Sequence, residues 1–306
     1  MSSYATRLFT ALKLSGTGWE LLKRRDFALL LAGQALTQIG DSLVKVALVW
    51  FVYTLTGSAM KMTVIGLLQT IPPFLLGPIL GVYLDRWPKK PVMVIVDVLR
   101  AVMIVTIPIL HALGLLPLNG LYLIVFLISI VSAFFGPALF SAVALIIPSD
   151  KLTPANAVLQ TTTTMGMLIG PALSGTGIAL IGAHNMLYLG APAFGIAALL
   201  LLPVHIKESL GARTSVSTLN QLWTDMLVGL RFLFVQHRLV RLLMITSALY
   251  SLAASAFVFL LPVFTTRILE LGAVELGWLW SAYGAGMLLA SIWLALARQG
   301  PLETRA

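Results

Sequence analysis

The length of its apolar runs constrains this chain more than any other feature. Eight stretches, at about 27–54, 62–84, 91–113, 119–147, 156–182, 186–204, 242–265 and 273–297, are almost free of charge. A helix needs about 20 apolar residues to cross the hydrocarbon core of a bilayer. Inside lipid every backbone N–H and C=O must find its partner within the chain, which leaves only helices and closed barrels. The runs lack strict alternation and far exceed the roughly 10 residues of a barrel strand, so the spacing predicts helices. Composition agrees: 59% of the residues are hydrophobic and 10% charged, where a soluble domain carries about 25% charged residues. The expected fold is all-α and polytopic, with about eight transmembrane helices.

A net charge of +9 would suit nucleic acid were the charge in one patch, but its placement points elsewhere. Sixteen of the 20 Lys and Arg residues lie before run 1, after runs 2, 4 and 6, and after run 8. The opposite loops hold only Lys61 and Arg267, and Lys45 and Arg100 fall inside runs. Basic residues mark the cytoplasmic side of short loops, so both termini are expected in the cytoplasm and no nucleic-acid partner is implied. With no cysteine, disulfides, thiolate metal sites and cysteine nucleophiles are excluded. His111, His184, His205 and His237 stand apart near run ends, without metal-ligand spacing. There is no Walker loop to hold ATP and no nucleophile–base cluster, so neither an enzyme nor a cofactor is expected. The first run is too long for a signal-peptide core and is read as helix 1.

Along the chain, residues 1–26, with Trp19, Leu21 and Leu22 beside Lys23, Arg24 and Arg25, read as an interfacial lead-in on the cytoplasmic side. Residues 27–204 form a six-helix bundle. Residues 205–241 read as a cytoplasmic linker with an amphipathic helix at about 219–237, and 242–306 as a second bundle begun by helices 7 and 8. Gly66-Leu-Leu-Gln69 and Gly277-Trp-Leu-Trp280 occupy equivalent places near the starts of helices 2 and 8, a faint internal repeat.

Helix 1 carries the densest polar signal. Gln34, Thr37, Gln38, Asp41 and Lys45 recur every three or four residues, which puts them in one stripe facing the bundle interior. Asp41 lies about 14 residues into the span, and an ionisable group at that depth usually marks a proton or substrate pathway. A structural reading stands beside it: Asp41 and Lys45 are i,i+4 in the favourable order and can neutralise each other. Asp97 and Arg100 can do the same at i,i+3, as an intramembrane ion pair fastening helix 3 to a neighbour. A tightly paired Asp41 would make a poor proton carrier, a desolvated one a good carrier. Asn156, Gln160, Thr163 and Thr164 form a second stripe on helix 5, as a cavity wall or with the threonines bonding back to their own helix. Phe257, Phe259, Trp278, Trp280 and Met287 are expected to face lipid or neighbouring helices.

Between helices 2 and 3 the sequence runs Gly81-Val-Tyr-Leu-Asp85-Arg86-Trp-Pro-Lys89-Lys90. This resembles the loop signature of the major facilitator superfamily, G-x-L-x-D-R-x-G-R-K, with Tyr83 for its Leu and Pro88 for its Gly. Helix 5 holds Gly166-Met-Leu-Ile-Gly170-Pro171-Ala-Leu-Ser174-Gly175, similar to the superfamily's antiporter signature with Ser174 replacing one glycine. Arg25-Asp26-Phe27 and Gly40-Asp41-Ser42-Leu43 resemble the branch that includes macrolide-efflux and enterobactin-export transporters. Asp97-Val-Leu-Arg100 and Phe135-Gly-Pro-Ala138 are further echoes. The resemblance implies export of a small organic molecule (drug-, macrolide- or siderophore-like) by proton antiport, with the proton gradient as the energy source. Gly81, Asp85, Arg86, Lys89 and Lys90 would gate the cytoplasmic side without touching substrate. The superfamily plan has twelve helices against eight read here. The expectation is therefore a truncated chain that does not transport alone, or one whose partner supplies helices 9–12. A non-transporting fragment or membrane subunit, and a lysophospholipid transporter of the same fold, are the alternatives.

Overall fold

In the computed structural model the described residues are 20–84, 87–206 and 238–297, and they contain no strand. Eight long helical elements follow one another: α1 (Arg25–Thr56), α2 (Ala59–Leu84), α3 (Lys89–Ala112), α4 (Leu118–Ala133 continued by Phe135–Ile146), α5 (Leu152–Ile181), α6 (Ala183–Leu201), α7 (Arg238–Arg267) and α8 (Ala273–Ala297). Among the described residues six stretches are long and apolar enough to cross a membrane, and they fall in α1 to α6. Residues 1–19, 207–237 and 298–306, with most of the lead-in and the linker helix, lie outside the described residues.

Local sequence sets the breaks. Gly57 ends α1 at φ 61° and Gly182 joins α5 to α6 at φ 85°, a backbone conformation that costs glycine little. Pro88 and Pro117 precede α3 and α4, where extended backbone before the first turn suits proline. α4 is interrupted at Phe134. Pro137 has no N–H to give to the turn before it, which is the ordinary cause of such a break.

α1 is central, packing on α6 and α5, while α3 closes on α6, and α8 lies along α5. The approach of α1 is close because small residues meet there. A Cβ on Gly40 would come within 3.0 Å of Ala193, and one on Gly166 within 2.9 Å of the Gln38 Cβ. A Cβ on Gly170 would collide with Ser42. Gly175 of α5 faces Ala273 and Gly277 of α8, with the Ala273 carbonyl oxygen 2.5 Å from the Cβ position. Lipid offers no hydrophobic drive for helices to associate, so such backbone approach is what holds membrane helices together. Phe74, Leu75, Leu123, Leu180 and Leu199 point outward, more than half exposed, as a lipid-facing surface requires.

The core falls into two apolar lobes. One gathers Phe27, Leu30, Leu84, Met93, Leu139 and Leu201. The other gathers Val49, Met62, Ile65, Ile107, Leu121 and Leu187. Between them lies a polar layer containing Gln34, Thr37, Asp97 and Arg100, all buried. The first lobe surrounds the ends of helices that carry most of the basic residues and is called the basic side below.

Candidate functional site

The polar layer is organised by Arg100 of α3, which is 2% exposed. Its Nη2 donates to Asp41 Oδ1 on α1, and its Nη1 stands 3.6 Å from Asp97 Oδ1 one turn earlier on α3. Thr37 Oγ1 donates to Asp97 Oδ2 at 3.3 Å. The face of the guanidinium lies 4.2 Å from the ring centroid of Phe194 on α6, an aromatic contact that suits a desolvated cation. Three helices thus meet on one cation. Arg100 fits because its flat fork can serve two carboxylates and stack at once, which a lysine cannot do. Even so, two carboxylates face one guanidinium, so the cluster carries a net charge of −1 when fully ionised.

Two cavities meet at this cluster. One, of about 300 Å³, lies toward the basic-side lobe between α1, α4 and α5 and is lined by Gln34, Gln38, Asp41, Arg100, Gln160 and Thr163 among others. The second, of about 240 Å³, lies farther along α1 and α5; Gln38, Asp41, Lys45, Gln69, Pro171 and Trp280 are among its walls. Gln38 and Asp41 belong to both. Asp41 therefore sits where the two spaces touch, and its side chain is 24% exposed while Asp97 is fully buried.

The helix 1 stripe converges as its spacing predicts, with Gln34 and Thr37 buried and Gln38, Asp41 and Lys45 on cavity walls. The alternative of a pair within α1 is not what the structure shows. Asp41 does not pair with Lys45 on its own helix, because the fork of Arg100 reaches its carboxylate from α3. Among the described residues Lys45 has no ion-pair partner, and it is exposed to the second cavity. Trp280 is also corrected: it lines that cavity, whereas Trp278 is 62% exposed on the outer surface. Phe257 and Phe259 have side chains outside the described residues. On α5, Gln160 and Thr163 line the basic-side cavity, and Thr163 and Thr164 also bond back to Leu159 and Gln160 carbonyls.

At the turn between α2 and α3, Asp85 and Arg86 lie outside the described residues, and Gly81 belongs to the last turns of α2. Lys89 donates to the Leu84 carbonyl at 2.6 Å and to that of Trp87 at 2.8 Å, and Lys90 donates to the Leu202 carbonyl beyond α6. Both cations neutralise the exposed carbonyl ends of helices. Trp87 stacks on Phe134 at the interruption of α4, ring planes 5° apart. In α5, Gly166 and Gly170 face α1 and Gly175 faces α8. Ser42 Oγ donates to the Gly166 carbonyl and Ser174 Oγ to that of Leu43. Pro171 has its carbonyl against Gly277, and the N–H of Ala172 turns to Ser281 Oγ on α8 at 3.0 Å. The glycine pattern thus serves two interfaces. No cluster of metal ligands occurs among the described residues.

Comparison with known proteins bears on the family and the fold. The family model described as Major Facilitator Superfamily matches residues 30–303. Macrolide efflux protein A of Streptococcus pyogenes is 29% identical over 156 residues, 51% of this chain and 38% of that protein. The multidrug efflux pump Tap of Mycolicibacterium fortuitum is 27% identical over 284 residues, 90% of this chain and 68% of the pump. Among solved structures, a bacterial homologue of the human lysosomal transporter Spinster, inward-facing and unoccupied, aligns with a TM-score of 0.65 at 16% identity. That alignment covers 88% of this chain and 62% of the homologue. The match to macrolide efflux protein A covers well under half of that relative's length.

Proposed function

The chain belongs to the major facilitator superfamily, and from that membership we propose that it is part of a secondary transporter that exports a small organic molecule in exchange for inward-moving protons. The observation that carries the proposal is the buried Asp41–Arg100–Asp97 cluster at the junction of two cavities. A net charge buried between helices is costly unless compensated. With both carboxylates ionised the cluster is one positive charge short, and a proton supplies it. Asp41, the carboxylate that both cavities reach, is the group through which the proton enters. A tightly paired carboxylate is a poor carrier, so it accepts the proton only as the Arg100 fork lets go. Protonation removes the charge that ties α1 to α3 and leaves Arg100 to Asp97. α5 links the event to the rest of the bundle, since its glycines touch α1 on one side and α8 on the other. The basic side is the cytoplasmic side, and the membrane is a bacterial cytoplasmic membrane. The efflux names of macrolide efflux protein A and Tap support the direction of transport.

The test is Asp41→Asn in the complete transporter of which this chain is proposed to be part, in everted vesicles energised by a pH gradient, with uptake of a panel of fluorescent drugs as the readout. The expected outcome is loss of gradient-driven uptake, on the order of tenfold or more, at unchanged protein level. Uptake that keeps its full dependence on the gradient would overturn the proton role of Asp41.

A further inference from the structure

We propose that the cavity beyond Asp41 is a binding site for organic anions and that Lys45 is the charge that recognises them. The inference rests on the transport reading for the direction of movement, but not for binding itself. Lys45 is a cation inside an apolar bundle with no ion-pair partner among the described residues, and it faces a cavity of about 240 Å³. It cannot escape to the membrane surface by extending its stem: the end of α1 at Thr56 is about 16 Å away along the helix axis. Nor does Asp41 answer it, because the carboxylate there is held by Arg100. An uncompensated Lys at this depth is costly, and a bound anion would offset that cost.

A second, independent observation points the same way. The donor nitrogens Nε2 of Gln69 and Nε1 of Trp280 belong to walls of this cavity and are buried without a hydrogen-bond partner. An indole N–H can only donate, and buried donors normally have acceptors. An ammonium and two unmet donors around one space call for a ligand rich in acceptors and negative in charge. The two donors come from the α2 and α8 segments, each three residues after the glycine of the internal repeat, Gly66 and Gly277. The remaining wall includes Val49 and Met62, which suits an apolar body. An apolar cavity of about 150 Å³ takes up benzene, so this one has room for a fused two-ring acid. The substrate class assigned is an amphiphilic carboxylate or phenolate.

The test uses 2-naphthoate and 2-naphthylmethylamine, which share a ring body and differ in the sign of charge. Their equilibrium binding to the protein in lipid nanodiscs is measured in chloride-free buffer against empty nanodiscs. The expected result is at least tenfold tighter binding of the naphthoate. Lys45→Gln should weaken naphthoate about tenfold and leave the amine within twofold, and Lys45→Arg should restore the preference. Equal affinity for the two probes, binding of neither, or naphthoate binding unchanged in K45Q would each overturn the proposal. Thermal melting of each variant separates a binding defect from a folding defect. Flux in proteoliposomes distinguishes the two readings. Lys45-dependent binding with no response to a pH gradient sinks the export reading and keeps the site. Gradient-driven flux of the amine that K45Q leaves untouched does the reverse.

Discussion

Arg100 and Lys45 are both cations deep in the same bundle, and the fold treats them in opposite ways. Arg100 is buried, with a carboxylate bound, a second one at 3.6 Å and an aromatic ring under its face. Lys45 lies one helical turn beyond Asp41, open to a cavity and without an ion-pair partner among the described residues. The difference separates charge that holds helices together from charge kept available for a ligand. It also follows the side chains: a planar fork with five donors suits a fixed, multiply bonded place, and a flexible ammonium suits a site that fills and empties.

The largest effect expected from breaking this contrast comes from Arg100→Leu. It strands the buried Asp97 carboxylate and the half-buried one of Asp41, and removing one partner of a buried ionic group costs about 3–5 kcal/mol. The variant should be lost from the membrane or melt well below the parent in detergent. Lys45→Gln removes an uncompensated charge and no ion pair among the described residues, so it should melt at or above the parent. Equal losses in the two variants would mean that Lys45 is also structural.

A smaller effect is expected at the interface that positions Asp41 opposite Arg100. Gly170→Leu places a branched side chain where a Cβ already collides with Ser42 of α1. Overpacking of this kind costs about 1–3 kcal/mol and should disturb proton coupling through the shift of α1. Gly286→Leu, on α8 with nothing within 4 Å of its Cβ position, should be silent in both melting and flux. Silence of the first variant would show that α1 can move off α5 without harm.

The smallest effect belongs to a third cation, Lys151, which meets Glu20 at 3.0 Å on the basic side. The hydrogen bond and charge of Lys151 hold the Glu20 carboxyl below its usual 4.5. A depressed carboxyl contributes stability above its unfolded value, and that contribution fades as the pH falls through the lower folded value. The pair is exposed and screened, so Glu20→Gln should change melting little at pH 7 and not at all in high salt. Melting measured in low and high salt checks this, and a large salt-independent loss would contradict it.

Helix boundaries were legible in the sequence to within a few residues: run 1 was read at 27–54 and forms Arg25–Thr56, and run 6 was read at 186–204 and forms Ala183–Leu201. The polar stripe of α1 was legible for the same reason, since helical periodicity is a local property. The partner of Asp41 was not. Local spacing offered Lys45 at i,i+4, but an exposed helical pair of that kind gains only a few tenths of a kcal/mol. Arg100, 59 residues away in sequence, wins because α3 and α1 both close on α6 and so bring the guanidinium to the carboxylate in a dry place. The sequence does not show that Trp280 lines a cavity, because periodicity gives the face of a helix and not what that face meets.

The sequence by itself therefore determined that this protein spans a membrane as α-helices, which lengths cross it, and the superfamily it belongs to. The first two depend on burying the backbone of each run in lipid, which needs no knowledge of its neighbours, and the superfamily is carried by short local motifs. Only the tertiary structure decided which charges meet, where the two cavities join, and that the glycines of α5 serve two interfaces. Contacts between distant segments depend on how closely helices approach, and that is set by the side chains of both partners at once.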